Sequence, residues 1–149
     1  MKKIQLICVG KIKEKFYAEA IAEYSKRLGK FCDFSIKELP DYADGADGVR
    51  RESMSIEGEL SGYSILTDIK GELITSEDFA DIFDRAFISS PKVQIIIGGS
   101  AGVTDELRKR ADKRVSFGRM TFPHQLMRVI AAEQVYRAMT ISARTPYHK

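Results

Sequence analysis

The sequence predicts an α/β fold, with a mostly parallel sheet that is covered by helices on both faces. Five short apolar stretches typical of strands alternate along the chain with five helical patterns. The fourth stretch, KVQIII at 92–97, is almost continuously apolar, as expected of a parallel strand that is buried on both faces. The 149 residues contain no repeat and no linker long enough to divide them, so we expect a single domain over 1–149.

In the first part of the chain, the spacing of apolar residues and the positions of glycine and proline indicate a strand, a helix and a second strand. Ile4–Val9 is a short apolar run typical of a buried strand, and the helical pattern Glu14–Arg27 ends at Gly29. Residues 34–39 alternate apolar and polar side chains, which predicts a half-buried strand that Pro40 ends.

The middle of the chain continues this alternation. Residues 41–48, DYADGADG, are typical of a loop, and a helix is predicted over 49–60. A third strand is predicted over 63–69, with the Lys-Gly pair at 70–71 as its turn.

Two helices have sequence signals at their first residues. Thr75 and Asp78 have the spacing of a capping box, which predicts a helix over 76–87. Thr104 stands where a cap would begin a basic helix over 105–113. A helix after each of these strands is what the crossover connections of a parallel sheet require.

The last elements are a short strand, VSF at 115–117, and a long helix from about Pro123. This helix is apolar on nearly every side, so it needs a cover on two sides. One cover is its own sheet and the other is a second copy of the chain, which predicts a homodimer. The i,i+4 spacing of Glu133 and Arg137 predicts a structural ion pair. The polar side chains form two narrow stripes, one of His124, Gln125 and Arg128 and one of Glu133, Gln134 and Arg137.

Charge is distributed unevenly along the chain. Residues 1–103 have a net charge of −3 and residues 104–149 a net charge of +6. This distribution suggests a surface that faces a polyanion, and a scatter of solvated charges is the alternative that charge alone leaves open. No apolar run approaches the roughly 20 residues of a membrane helix, and no signal peptide is evident, so we expect a cytoplasmic protein without membrane contact. Cys8 and Cys32 lack the spacing of a disulfide framework or a zinc site, and no metal is expected.

A glycine-rich stretch, GGSAG, follows the fourth strand. Its residues Gly98, Gly99 and Gly102 do not have the GxGxxG spacing of a dinucleotide site, and no phosphate-loop Gly-Lys-Ser/Thr follows. Alone, the stretch indicates a tight turn or a backbone that a ligand approaches closely. Ligands of parallel sheets bind beyond the carboxyl ends of the strands, so this loop should meet the loops TDIKG and FGRMTF at a site.

Four segments, VGKIKEKF, IIIGGSAG, SFGRMTFPHQLMRVIAAEQVYRA and the terminal PYHK, resemble the RlmH family. These are small SPOUT-class methyltransferases that modify N3 of a pseudouridine in 23S (large-subunit) rRNA. The resemblance spans Met1 to Lys149 without an appended RNA-binding domain, and it implies a trefoil-knotted α/β fold, S-adenosylmethionine as methyl donor and a homodimer. The net charge of +6 over residues 104–149 allows only a few phosphate contacts, which give weak binding to RNA alone. We therefore expect the assembled ribosome, rather than naked RNA, to be the substrate.

The resemblance also implies a set of cofactor-binding residues. Gly98 corresponds to the glycine that lets the backbone approach the cofactor, and 117–122 to the loop that wraps the adenine and the methionine. Thr67 stands where relatives commonly have leucine, a change that a backbone contact tolerates. The full set in this sequence is Thr67, Gly98, Phe117, Gly118, Arg119, Met120, Thr121 and Phe122.

Methyl transfer from a sulfonium requires alignment of donor and acceptor, and N3 of pseudouridine carries a proton that a base has to accept. We expect the tail to supply this chemistry, with Tyr147 stacking on the RNA base and His148 accepting the proton. Arg128 is a further catalytic candidate, and a purely structural docking of the tail is the alternative. The other candidates are His124 and Glu133 as bases and Arg137 and Arg144 as cations.

Two other functions remain compatible with the sequence. A non-catalytic module that binds RNA or the ribosome, with a vestigial cofactor pocket, would also explain the basic C-terminal third. A methyltransferase acting on another RNA is the second alternative.

Overall fold

A computed structural model describes residues 1–148 and contains one sheet of five parallel strands in the order β2-β1-β4-β3-β5. The predicted α/β fold is confirmed, whereas the trefoil knot stays a prediction, because strand order and register do not define how the chain threads. The strands are β1 (Lys3–Val9), β2 (Asp33–Leu39), β3 (Tyr63–Leu73), β4 (Lys92–Ile97) and β5 (Lys113–Ser116). The helices are α1 (Lys15–Leu28), α2 (Ala46–Glu59), α3 (Ser76–Ser89), α4 (Asp105–Arg110) and α5 (His124–Ser142).

Helices cover both faces of the sheet, as the sequence predicts. Alternate side chains of β1 show the two layers. Ile4, Leu6 and Cys8 are fully buried in a core cluster with α1, α3 and α5, whereas Ile7 and Val9 pack in a second cluster with α2 and α4. The larger core therefore lies on the face that α5 covers.

α5 is central to this larger core and packs between α1 and α3. Ala131, Val135 and Ala138 are fully buried against the sheet side, and every residue from His124 to Ser142 is at least partly buried in the single chain. The outer side that a second copy is predicted to cover is half-buried and includes Leu126, Val129 and Ile130. Within residues 1–148, no helix is long and apolar enough to cross a membrane.

β3 is longer than predicted, and the turn expected at 70–71 is wrong. Thr67 and Glu72 both lie opposite Val115, so the residues between them form a bulge in a continuing strand. A Cβ atom at Gly71 would lie 2.9 Å from backbone atoms of β5. Glycine is therefore required here by the close approach of two strands, not by a turn.

The two predicted helix caps are confirmed. Thr75 Oγ1 accepts a hydrogen bond from Asp78 N at 3.0 Å, and Asp78 Oδ2 accepts one from Thr75 N at 2.9 Å, which completes the capping box. Thr104 Oγ1 accepts from Leu107 N at 3.2 Å. The helix after Thr104 ends earlier than predicted, at Arg110, and β5 begins correspondingly earlier.

Both cysteines are buried free thiols. Burial raises the pKa of Cys8 to about 12 and that of Cys32 to about 11. In the part of the chain that the structure describes, no group of three or more His, Cys, Asp or Glu side chains could hold a metal ion.

Candidate active site

A mostly apolar cavity of about 640 Å³ lies at the carboxyl edge of the sheet. The bulge of β3 and the loops that follow β4 and β5 form its walls. The three segments expected to meet therefore do so, although the first, 67–71, is a bulge within β3 and not a loop after it. Its volume lies within the ~300–1,000 Å³ typical of small-molecule sites. We call this space the cavity, and its lining residues are 67–69, 97–100, 102, 103, 108, 115–118, 120–124 and 127.

Most of the residues implied by the resemblance as cofactor-binding line the cavity. Arg119 is the exception, because its Nη1 donates to the carbonyl oxygens of Ile69 and of Gly71, the latter at 3.2 Å. It therefore holds the bulge of β3 beside the cavity. The residues of the predicted set that line the cavity are Thr67, Gly98, Phe117, Gly118, Met120, Thr121 and Phe122. Their role in cofactor binding stays a prediction.

The first two glycines of the loop after β4, Gly98 and Gly99, have no room for a side chain. A Cβ atom at Gly98 would lie 2.7 Å from Cγ1 of Val103, and one at Gly99 would lie 2.5 Å from Oε1 of Glu52. Gly102 has a φ of +91°, in the left-handed region that favours glycine. The loop therefore presents bare backbone to the cavity, as a closely approaching ligand would need.

The hydroxyl group of Thr67, which lines the cavity, is bonded to the neighbouring strand. Its Oγ1 donates a hydrogen bond to the carbonyl oxygen of Ile96 at 2.8 Å, which ties the end of β3 to β4. The hydroxyl group of Thr67 is therefore satisfied within the sheet.

The loop over 117–122 forms the opposite wall and part of the rim. Phe117 packs edge-on against Phe79, with ring centroids 5.4 Å apart, which anchors the beginning of the loop in the larger core. Met120 is 72% exposed and Phe122 is 37% exposed, so the rim carries large apolar side chains without a cover in the single chain.

Two residues of opposite charge that sequence reasoning missed, Asp68 and Arg108, line the cavity. The Asp68 side chain is only 10% exposed, and its Oδ2 lies 3.4 Å from Nε of Arg108 and 3.8 Å from Nη1 of Arg114. Asp68 follows directly on Thr67 in the TDIKG segment that the sequence placed at the site, and this position is the signal that could have indicated it.

His124, at the beginning of α5, also lines the cavity and is half-buried. Of the bases considered from the sequence, it is the one placed at the cavity among the described residues of this chain. An imidazole at this position can exchange a proton with a bound molecule.

Arg128 is fully buried and lies outside the cavity lining. Its Nη1 donates to Oε2 of Glu38 at 2.6 Å, and its Nη2 donates to the carbonyl oxygens of Val9 at 3.1 Å and Gly10 at 2.6 Å. The guanidinium group therefore joins α5 to the ends of β1 and β2. These contacts support a positioning role, and a catalytic role of Arg128 stays a prediction.

The loop between β1 and α1 is fastened at the same place. Glu38 Oε2 also accepts from Ile12 N at 2.9 Å, and Gln125 Oε1 accepts from Lys13 N at 3.1 Å. Burial raises the pKa of Glu38, but the hydrogen bonds from Arg128 and Ile12 outweigh this and lower it below its ordinary value. The beginning of α5 is thus held by charge and by hydrogen bonds from two neighbouring segments.

Tyr147 in the tail lies on α5 of its own chain. Its hydroxyl group donates to Oε1 of Glu133 at 2.6 Å, its ring meets that of Tyr136 edge-on at 4.7 Å, and Arg137 lies 5.0 Å from its ring centroid. The hydrogen bond to Glu133 raises the pKa of Tyr147. The predicted ion pair is confirmed, since Arg137 Nε and Glu133 Oε2 are 2.7 Å apart.

His148 continues this contact toward α3. Its Nδ1 accepts from Nη1 of Arg137 at 3.2 Å, and its Nε2 donates to Oε1 of Glu77. That hydrogen bond lowers the pKa of Glu77. Neither Tyr147 nor His148 is among the residues that line the cavity of the described chain, and Lys149 lies outside the described residues.

Comparison with known proteins agrees with this arrangement. The family model described as "Predicted SPOUT methyltransferase" matches residues 1–148. A "Ribosomal RNA large subunit methyltransferase H" of Bifidobacterium adolescentis is 48% identical, with 99% of this chain and 99% of that protein covered. The protein of the same name from Desulfitobacterium hafniense is 44% identical, with 100% of each covered.

A solved structure shows the same fold at low identity. The tRNA (m1G37) methyltransferase from Aquifex aeolicus matches with a TM-score of 0.53 and 13% identity, over 91% of this chain and 70% of that one. Identity this low supports the fold alone, whereas the full-length relatives support the family. The chain belongs to the SPOUT methyltransferases and, among them, to the family of ribosomal RNA large subunit methyltransferase H.

Proposed function

We propose that this protein transfers a methyl group from S-adenosylmethionine to N3 of a pseudouridine in 23S rRNA of the assembled ribosome. The observation that carries the proposal is full-length membership in a family of large-subunit rRNA methyltransferases, together with a preformed cavity at the carboxyl edge of the sheet. Such an enzyme would work in the cytoplasm, where ribosomes are.

The cavity suits a ligand of the size and character of S-adenosylmethionine. Its apolar walls suit the adenine, and the bare backbone at Gly98 permits close approach. A buried carboxylate oxygen of Asp68 has no hydrogen-bond partner within residues 1–148. The cofactor supplies an electrophilic methyl group bound to a sulfonium sulfur. Because the leaving group is a neutral thioether, its departure needs no acid. The chain's own task is to align this group with the RNA base and to exclude water.

The acceptor side needs a group that removes the N3 proton. We assign this role to His148, with Tyr147 stacked on the base, and we assign Arg128 the positioning of α5 at the cavity. In one chain the tail rests on α5 and α3, held by Glu133 and Glu77. These are half-exposed contacts of modest free energy, so the tail can be released to meet an RNA base.

We also propose that two copies form a homodimer through the outer side of α5. Val129 and Ile130 are only half-buried there, and the exposed Met120 and Phe122 extend the apolar surface to the cavity rim. A second copy would bring its own tail to this rim. In one chain alone, the tail residues Tyr147 and His148 do not reach the rim. An obligate interface of this kind buries on the order of 2,000 Å² or more.

Sedimentation at micromolar concentration tests the dimer. We expect a dimer for the unchanged chain and a monomer for Ile130→Asp, because the new carboxylate would be buried without a partner. A monomer of the unchanged chain would contradict the proposal. Lys109→Asp, on the far face of the sheet, is the matched control and should remain dimeric.

The activity is tested by single-turnover methylation with labelled cofactor, using ribosomes from cells that lack the protein, and by mass spectrometry of the product. We expect methylation at one pseudouridine of the large subunit. Equal rates on a protein-free RNA hairpin would contradict the ribosome as substrate. Failure of the protein to bind S-adenosylmethionine would instead favour a non-catalytic module.

A further inference from the structure

The carboxylate of Asp68 is a buried charged group on the cavity wall with one unused acceptor. Its Oδ1 accepts a hydrogen bond from Lys70 N at 3.0 Å. Its Oδ2 is fully shielded from solvent and has no hydrogen-bond partner among the described residues. Arg108 Nε and Arg114 Nη1 lie near that oxygen, at 3.4 and 3.8 Å, but their N–H groups do not complete a hydrogen bond with it.

A buried acceptor without a donor is unfavourable, so native proteins rarely leave one without a reason. The two guanidinium groups compensate the charge of Asp68 but leave the Oδ2 lone pairs unused. Since this residue lines the cavity, the missing donor can come from a molecule bound there. An unsatisfied group at a ligand site is expected where the ligand completes the hydrogen bonding.

The backbone beneath Asp68 is held in place before any ligand binds. Asp68 opens the bulge of β3, whose carbonyl oxygens at Ile69 and Gly71 accept hydrogen bonds from Arg119. Thr67, the preceding residue, is fastened to β4 through its hydroxyl group. The backbone that carries the carboxylate is therefore already ordered when a ligand binds.

We infer that Asp68 is a further cofactor-binding residue whose Oδ2 accepts a hydrogen bond from an N–H or O–H donor of S-adenosylmethionine. This rests on the proposed function. The cofactor has two donors that suit a carboxylate, the ribose hydroxyl groups and the α-ammonium group. Both give a charge-assisted hydrogen bond, which is stronger than one between neutral groups.

Calorimetry with S-adenosylhomocysteine measures this contact without turnover. Asp68→Ala should weaken binding at least about tenfold, which is about 1.4 kcal/mol. Asp105→Ala is the matched control, because Asp105 is the other carboxylate bound to Arg108, at 2.8 Å, and lies outside the cavity. The control should keep its affinity within about twofold, as expected for loss of an exposed ion pair. The thermal midpoint of each variant checks that it is folded.

A second ligand, methylthioadenosine, shares the adenine and the ribose with S-adenosylhomocysteine but lacks the amino-acid end. Asp68→Ala weakens both ligands if Oδ2 accepts from the ribose, and weakens only S-adenosylhomocysteine if it accepts from the α-ammonium group. Either result supports the inference. Unchanged affinity for both ligands in a folded Asp68→Ala variant overturns it.

The double variant Asp68→Ala/Arg108→Ala separates a direct contact from an indirect one. If loss of Asp68 only freed Arg108 to block the cavity, the double variant would regain the original affinity, which would overturn the inference. Persistent weak binding supports it. Failure of the unchanged chain to bind either ligand would contradict the proposed function itself, and with it this inference, whereas equal binding by chain and variant contradicts the inference alone.

Discussion

The cavity and the tail are two regions with expected roles in one reaction, and the single chain builds only the first completely. The cavity has its walls, its bare backbone and its buried carboxylate in place. The tail residues Tyr147 and His148 lie instead on Glu133 and Glu77, outside the cavity lining of the described chain. One chain therefore forms the site proposed for the methyl donor but not the site proposed for the acceptor.

The two regions also differ in how they are fastened. Behind the cavity, Arg128 is fully buried and binds Glu38 and two backbone carbonyl groups. The tail residues His148 and Tyr147 instead rest on Arg137 and Glu133 of α5, whose side chains are 30% and 19% exposed. Buried contacts are costly to break and exposed ones are cheap, so the cavity should be rigid and the tail releasable.

The largest expected effect is loss of cofactor binding in Gly98→Val. The added Cβ would displace the side chain of Val103, 2.7 Å away, into the cavity, and the valine methyl groups would add to the obstruction. We expect affinity for S-adenosylhomocysteine to fall by at least about 100-fold, with a loss of about 1–3 kcal/mol in the free energy of unfolding.

Calorimetry and thermal unfolding, measured together, check this prediction. Gly58→Val is the matched control, because nothing lies within 4 Å of a Cβ atom at Gly58. Normal affinity in a folded Gly98→Val variant would show that this wall does not meet the cofactor.

The next effect concerns stability and compares the two arginines directly. Arg128→Met should lower the free energy of unfolding by about 2 kcal/mol, since two buried carbonyl groups lose their donor and Glu38 loses its partner. Arg137→Met should cost less than about 1 kcal/mol, because its ion pair is partly exposed. Denaturant unfolding at one fixed protein concentration measures both, and equal losses would contradict the distinction between the two regions.

Truncation after Arg144 should act on turnover alone. We expect the rate of single-turnover methylation to fall at least about tenfold, which is about 1.4 kcal/mol in transition-state stabilisation. Affinity for the cofactor should stay within about twofold, since none of the described residues that are removed, 145–148, is among those that line the cavity. His148→Ala should match the truncation if His148 accepts the proton and should lose less if it only orients the base. Methylation at the full rate without the tail would make the tail structural.

The smallest effect is a pH dependence of the tail contact. The pKa of Tyr147 is raised by its hydrogen bond to Glu133, so the docked tail holds the phenol proton more tightly than a free tail does. The docking is therefore fully stabilised below the ordinary tyrosine value of about 10 and weakens as pH rises through the raised pKa.

Ultraviolet titration of tyrosine, with Tyr147→Phe to assign the signal, measures this pKa. Glu133→Gln should return it toward the ordinary value. A Tyr147 that titrates at the ordinary pKa in the unchanged chain would mean that the tail is not docked in solution.

The parts of the fold that were predictable from the sequence rest on local signals. The capping box at Thr75 and Asp78 and the cap at Thr104 are each confirmed, because a cap needs only residues three positions apart. The long helix α5, which has no fully exposed side, is also observed. It was predictable because a helical pattern is visible within one segment of the sequence. Most of the residues that the resemblance implied as cofactor-binding line the cavity, although the resemblance says nothing of their geometry.

The parts that were missed depend on partners far away in the sequence. The sequence predicts a turn at Gly71, but glycine is required there because the backbone of β5 lies against it. Arg128 falls in a polar stripe, yet it is buried because Glu38, 90 residues away, and the carbonyl group of Val9, 119 residues away, meet it there. The charge of Asp68 is compensated at the cavity because the fold brings Arg108 of α4 and Arg114 of β5 beside it. No local pattern carries such information.

The burial of both cysteines makes the chain suitable for labelling. With a pKa of about 12 for Cys8 and about 11 for Cys32, thiolate is scarce at neutral pH, and maleimide reagents should react with neither in the folded protein. A cysteine introduced at the exposed Ala143, where α5 ends and the tail begins, would then be the one reactive thiol. Spin labels or fluorophores at that position would report, by the distance between two copies, where each tail lies before and after a ribosome is added.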